Sequence, residues 1–145
     1  MTKNIYSITK NILNNGQSLS LFLARLTVAY GFYTPSMTKW SDINSVAEWF
    51  ASIGIPLPML NAYTVASLEF AGVVLLTLGL FTRLISVPLM AIMVVAITTV
   101  HLSHGFNAGN GGFEIPLYYL LFLALFTSFG AGKLSLDHLL FGDEQ

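Results

Sequence analysis

The sequence contains no cysteine, which removes disulfides, iron–sulfur clusters and thiolate metal sites from consideration. Any redox role must therefore borrow its electron carrier. Charge is scarce as well: charged residues make up 9% of the 145 residues, against about 25% in an ordinary soluble domain. So few charges cannot coat a water-soluble globule. The six Lys and Arg are scattered and the formal net charge is -1, so no basic patch attracts nucleic acid. What is abundant is apolar surface, 54% of the residues, and a bilayer is the solvent that suits it.

A helical span requires about 20 mainly apolar residues. The stretch from Met59 to Ser103 is more than twice that length and carries one serious interruption, Arg83. Two spans are predicted here, about 59–81 and 84–103, turning at Phe81-Thr82-Arg83. Pro88 then falls in the first turn of the second, where its missing N–H costs little. A further span, about 114–130, is entered through Glu114 and Pro116 and closed by Gly130-Ala131-Gly132-Lys133, a glycine terminator followed by a cation. The first span, about 18–37, contains Arg25 and ends in Tyr33-Thr34-Pro35-Ser36. Arg25 breaks its apolar run and no small-x-small site follows, so it is not read as a cleaved secretory signal. The expected fold is an all-α membrane protein with a single domain over residues 1–145: a four-transmembrane-helix bundle with short amphipathic interfacial helices.

Amphipathic pieces flank the spans. Ile5, Ile8 and Ile12 recur at helical spacing beside Lys3 and Lys10, which predicts a short surface helix, or a tail, before the first span. After that span, Ile43, Val46, Trp49, Phe50 and Ile53 keep a helical period, and Ser45-x-x-Glu48 has the capping-box pattern. This segment reads as an interfacial helix with Trp40 and Trp49 at headgroup level, or as a lid over the bundle. Near the other terminus, Ser135 caps a stub of Leu136, Leu139, Leu140 and Phe141 that ends in Asp143-Glu144 and lies against the inner leaflet. The positive-inside rule puts Lys3, Lys10, Arg83 and Lys133 in the cytoplasm and Lys39 outside. Both termini are then cytoplasmic, and the longer connections, Lys39 to Pro58 and His101 to Glu114, face outward.

Arg25 and Glu69 are the most informative positions. An unpaired charge deep in a bilayer costs several kcal/mol, so each is expected to turn inward toward a partner. Counting along the proposed helices brings them within reach of each other, and Ala62 and Ala66 on the Glu69 face allow close approach. They form the candidate intramembrane polar site, read either as a bundle-locking ion pair or as a substrate-binding pair. Lys39, His101, His104 and Glu114 form a candidate outer-face site. His101 and His104 are spaced i, i+3 at a helix end and Glu114 returns at the start of the next helix, so these three could hold copper or zinc. The plainer reading leaves the histidines at the interface and gives Glu114 the helix macrodipole to offset. A bis-histidine haem does not fit, because its ligands approach the iron from opposite sides. His101 and His104 share one face, and His138 lies on the cytoplasmic side. Met90 and Met93 read as packing residues.

One ordered series of residues runs through the whole chain. It comprises Arg25, Gly31, Lys39, Ile53-Gly54-Ile55-Pro56-x-Pro58, Glu69 with Gly72, and Leu78-Gly79-Leu80-x-Thr82-Arg83. It continues with Val100-His101, His104-Gly105-Phe106, Gly112-x-Glu114 and Gly130-x-Gly132-x-x-Ser135-x-Asp137. In this order and spacing it resembles the DoxX family of small bacterial membrane proteins. Thr99-Val100-His101 and Glu114-Ile115-Pro116-Leu117-Tyr118-Tyr119 resemble the branch found alongside copper-binding modified-peptide systems. The resemblance implies a four-span inner-membrane protein. It also implies kinship with a subunit of an archaeal thiosulfate:quinone oxidoreductase and with members tied to redox stress or thiol homeostasis. The family's recurrent polar residues fall here on Arg25, Lys39, Glu69, Arg83, Glu114 and Asp137.

Three functions compete. The first is a membrane subunit or accessory of a redox, quinone-linked or thiol and oxidative-stress system, with a pocket near Arg25 and Glu69 and no catalysis by this chain alone. The second is a non-enzymatic accessory in copper homeostasis whose outer loops meet a metal or a metal-binding peptide. The third is a small transporter, which four helices allow only as an oligomer. No intrinsic cofactor is predicted; quinone, copper and zinc are the candidates from outside. The expected partners are the lipid bilayer and either a partner protein or further copies of the chain.

Overall fold

Most helix boundaries follow from local stop signals. The computed structural model describes the backbone of residues 2–142 and the side chains of residues 16–142, and every regular element among them is helical. The first helix, α1 (Thr2–Ser41), is continuous over 40 residues with Pro35 inside it. The separate surface helix expected before residue 18 is therefore corrected to the first turns of α1. Between the two segments stand Leu13, Asn14, Asn15, Gly16 and Gln17, of which the asparagines and the glycine weaken a helix without ending it. The side chains of Lys3, Ile5, Ile8, Lys10 and Ile12, and all of Asp143 and Glu144, lie outside the described residues.

The helix α2 (Ile43–Ser52) begins at Asp42, whose carboxylate accepts from Ser45 N at 3.1 Å and from Ser45 Oγ at 2.6 Å. The cap thus sits three residues before the predicted Ser45-x-x-Glu48 box, because an ionised carboxylate is the stronger acceptor for a helix N–H. The next helix, α3 (Pro58–Leu78), opens on proline and is stopped by Gly79 at φ +65°. After a short turn α4 (Thr82–Ala96) begins, earlier than expected, so Pro88 lies in its interior rather than in its first turn. It runs on into a π-helical turn, Ile97–His101, and a 3-10 turn, Leu102–His104. The last two helices are α5 (Glu114–Phe129) and α6 (Leu136–Phe141), the latter capped by Ser135 Oγ accepting from His138 N at 3.2 Å.

Helix α3 packs along α1 and carries α2, while α4 packs along α5. These two halves meet most tightly toward the end where α3 turns into α4, the turn end. There a Cβ on Gly72 would come within 2.7 Å of Leu89 Cδ1. The core between the halves is built from Val28, Phe32, Leu76, Ile85, Leu89, Leu123 and Phe126. At the opposite, roof end, a smaller cluster of Ala47, Phe50 and Ala62 fixes α2 across α3.

The exterior is apolar. Leu84 is 71% exposed, and Phe70, Val74, Leu121 and Leu125 also face outward, whereas Arg25 is 0% exposed. That inverts the pattern of a soluble protein. Pro58–Leu78 and Thr82–His104 are each long and apolar enough to cross a membrane; Glu114–Phe129 is apolar but shorter.

Candidate functional site

A helix C-terminus leaves carbonyl oxygens without internal donors, and at the turn end arginine side chains supply them. Arg25 donates through Nη1 to Leu76 O at 2.7 Å, through Nε to Ala131 O at 3.1 Å, and through Nη2 to Leu134 O. Arg83 Nη1 likewise donates to Thr127 O and Ser128 O, at 3.1 and 3.0 Å, closing the end of α5. Asp137 caps the start of α4 from a distant part of the chain, accepting from Phe81 N at 2.7 Å and Thr82 N at 3.0 Å, and its charge acts on Arg25. Gly79 is fixed twice over: its φ is positive, and a Cβ there would run into the Arg25 guanidinium and Ser135.

Arg25 therefore does not pair with Glu69. Its carbonyl partner Leu76 lies two turns beyond Glu69 on α3, about 10 Å at 1.5 Å per residue. The expected Arg25–Glu69 site is corrected to two sites, one at each end of the bundle.

At the roof end Glu69 pairs with Lys39, whose Nζ donates to Oε1 at 3.0 Å and to Oε2 at 2.8 Å. Helical side chains lean toward their own N-terminus. Along the antiparallel α1 and α3, Lys39 thus leans away from the roof and Glu69 leans toward it, and the two meet. The Glu69 side chain is 4% exposed and that of Lys39 18%. An ammonium has three N–H donors, so one remains after both bonds to Glu69.

This pair stands on the wall of a cavity of about 600 Å³. Phe32, Val65, Leu68, Ile92 and Met93 supply apolar walls, Trp49, Phe50 and Ile53 form the roof, and Tyr119 and His101 complete the lining. The Tyr119 hydroxyl lies so close to Gly31 that a Cβ there would overlap it, and its ring packs against Phe32 with centroids 5.4 Å apart. His101 Nδ1–H donates to Gly111 O at 2.7 Å, which leaves Nε2 as its remaining polar atom. Few polar groups on apolar walls suit a lipophilic molecule whose oxygens accept hydrogen bonds.

His101, His104 and Glu114 are not gathered around one point. Among the described residues no three His, Asp or Glu side chains are grouped so as to hold a metal ion. Each ring is tied by Nδ1 to a different backbone carbonyl, His101 to Gly111 O across the loop and His104 to Val100 O in its own helix end. His104 is exposed and its Nδ1–H turns back to Val100 O at 3.0 Å. Glu114 accepts from Ala108 N and from Tyr118 Oη, both at 3.0 Å, and so ties the loop before α5 to that helix. Sequence reasoning places Lys39 and Glu69 in different sites; the lean of antiparallel side chains is the signal that joins them. Tyr119 is uncharged, and neither its place at the end of Glu114-Ile115-Pro116-Leu117-Tyr118-Tyr119 nor the glycine it lies against marks it as a cavity residue in the sequence.

A family model described as DoxX matches residues 20–102, more than half of the chain. The chain belongs to the DoxX family. The matched stretch of this DoxX membrane protein holds Arg25, Lys39, Glu69, Arg83 and His101, while Glu114 and Asp137 lie beyond it. An uncharacterized protein of Haemophilus influenzae is 32% identical over 133 residues, covering 86% of this chain and 85% of the relative. CatD of Bacillus subtilis, whose name proposes an oxidoreductase, is 31% identical over 130 residues, covering 89% and 92%. The inner membrane protein YphA of Escherichia coli is 33% identical over 67 residues, covering 46% and 48%. No solved structure matches the chain significantly.

Proposed function

We propose that this DoxX protein is the membrane subunit or accessory of a redox system, and that its cavity binds a quinone-type carrier recognised by the Lys39–Glu69 pair. In this reading α1, α3, α4 with its following turns, and α5 are four spans of a bacterial inner membrane. Arg83 and Lys133 lie at the turn end, which the positive-inside rule favours as the cytoplasmic side, and in this reading both termini share that side. The inner-membrane relative and the oxidoreductase name of the Bacillus relative support the reading.

The observation that carries it is the buried ion pair on the wall of an apolar cavity of about 600 Å³, a volume typical of small-molecule sites, roughly 300–1,000 Å³. A pair whose task was to lock helices together would be packed on all sides. A quinone fits the donor set: its ring lies between apolar walls, and its carbonyl oxygens accept from the remaining Lys39 N–H and the Tyr119 hydroxyl. Glu69 holds the ammonium in place, and α2 keeps water from the roof. When bound, the quinone supplies two-electron carrier chemistry, and a partner protein supplies the electrons.

The test uses the full chain in lipid nanodiscs with Trp40→Phe, so that Trp49 on the cavity roof is the remaining tryptophan of the two. A short-tailed benzoquinone should quench its fluorescence. Glu69→Gln, which loosens the ammonium, should weaken binding about tenfold. Undiminished binding in both Glu69→Gln and Lys39→Met rejects the assignment.

A further inference from the structure

We infer that the cavity is loaded sideways from the hydrocarbon of the bilayer, through a portal between α3 and α4, and that its occupant is a neutral lipid with an oxygen-bearing head and one hydrocarbon tail that leaves through this portal. The inference rests on the proposed reading of the cavity as a ligand site.

The lining of the cavity is not enclosed on all sides. Thr64 of α3, and Ala91 and Val95 of α4, line it and are themselves exposed. A molecule passing between them moves from the cavity to the exterior of the bundle without crossing a buried layer. The two helices are held together below this point by the Gly72–Leu89 contact and by the turn at Gly79. Above it, short side chains leave the gap.

A second seam, between α1 and α5, also reaches the cavity, with Pro35 and Ile115 exposed at its edge. That seam is closed from within. The Tyr119 hydroxyl is pressed on Gly31, its ring packs on Phe32, and Pro116 is buried behind them.

The depth of the α3–α4 gap fixes what meets it. Ala91 and Val95 lie about 13 and 20 Å along α4 from Thr82 at 1.5 Å per residue. In a hydrocarbon layer about 30 Å thick that is the middle and the far half, where acyl chains surround the helices. The occupant is therefore a molecule dissolved in the membrane. Its head must be neutral, because the Lys39–Glu69 pair is already charge-balanced, and it must accept hydrogen bonds, because Lys39 N–H and Tyr119 O–H are donors. Its tail must be single, because the portal is one gap between two helices joined at one end.

Two probes decide the matter on the Trp40→Phe protein in nanodiscs: a tail-less dimethoxy-methyl-benzoquinone and its decyl-tailed analogue. Ala91→Phe, or Val95→Phe as a second variant, fills the portal without adding a second tryptophan and should weaken the decyl probe about tenfold, as expected of one overpacked contact. The tail-less probe should bind each variant within about twofold of the parent, which also shows that the variants fold. Ile115→Phe, at the other seam, should leave both probes unchanged. Equal effects on the two probes, or an effect from Ile115→Phe alone, overturns the portal while leaving the site in place. If neither probe binds the parent protein, the ligand-site reading itself fails.

Discussion

Each end of the bundle holds a cation turned inward, and the two are used in opposite ways. At the turn end Arg25 is fully buried and directs Nε, Nη1 and Nη2 at three backbone carbonyls. Guanidinium is a rigid planar fork, suited to several fixed acceptors at once. The cavity nearby is small, about 170 Å³. At the roof end Lys39 carries a compact ammonium with one donor left over, beside a cavity of about 600 Å³. A buried charge in a helix bundle is thus not in itself a site. What separates scaffold from site is whether the charge is held by fixed backbone acceptors in a closed pocket or has open space beside it.

The largest effect should come from attacking the fully buried Arg25. Arg25→Ala leaves the carbonyls of Ala131 and Leu134 without their donor, leaves Leu76 O with the Gly79 N–H at 3.3 Å, and leaves Asp137 without its neighbouring cation. A loss of about 3 kcal/mol or more is expected, read as a lower thermal midpoint in detergent. Arg25→Lys should recover only part of it, since an ammonium cannot span three separated acceptors. If Arg25→Ala melted like the parent but no longer bound quinone, the roles of the two ends would be reversed.

The roof end should respond in the opposite sense. Replacing both charges of a buried pair by apolar residues of similar size is often neutral, or stabilising by about 1–4 kcal/mol. Lys39→Met with Glu69→Leu should therefore melt at or above the parent midpoint while quinone quenching of Trp49 disappears. A double variant that melted much lower would make the pair a helix lock, and one that bound quinone normally would remove it from recognition.

The contrast between the ends was only half legible in the sequence. Gly79, Gly130, Pro58 and Ser135 are local stop and start signals, so most helix limits could be placed to within a turn. The pairing of the charges could not. Helix α1 runs to Ser41 rather than residue 37, and α3 ends at Leu78 rather than residue 81. The first shift lowers Arg25 relative to Glu69, and depth counted from a misplaced end is wrong by that amount. The cavity had no signal of its own, because it is the space that packing leaves between the halves. Nor did the π turn that ends at His101, since its apolar residues and threonines read as ordinary helix.

The smallest effect should be at the rim, where α2 begins. The Ser45 N–H and hydroxyl both donate to Asp42 and hold its carboxyl below the usual carboxylate range. A group whose folded pKa is depressed stabilises the fold above its unfolded pKa, and that contribution is lost as pH falls through the folded value. Acid should therefore loosen the start of α2 while the Arg25 network stays intact. Trp49 lies on this helix and lines the cavity, so its emission in the Trp40→Phe protein should shift to the red as pH is lowered from neutral through the carboxylate range. Asp42→Asn keeps a good neutral cap and takes the titrating group away, so its emission should stay level over the same range. A red shift that persisted in Asp42→Asn would place the pH response outside the α2 cap. It would then remove the roof from the comparison and leave the ion pair and the cavity to account for the difference between the two ends.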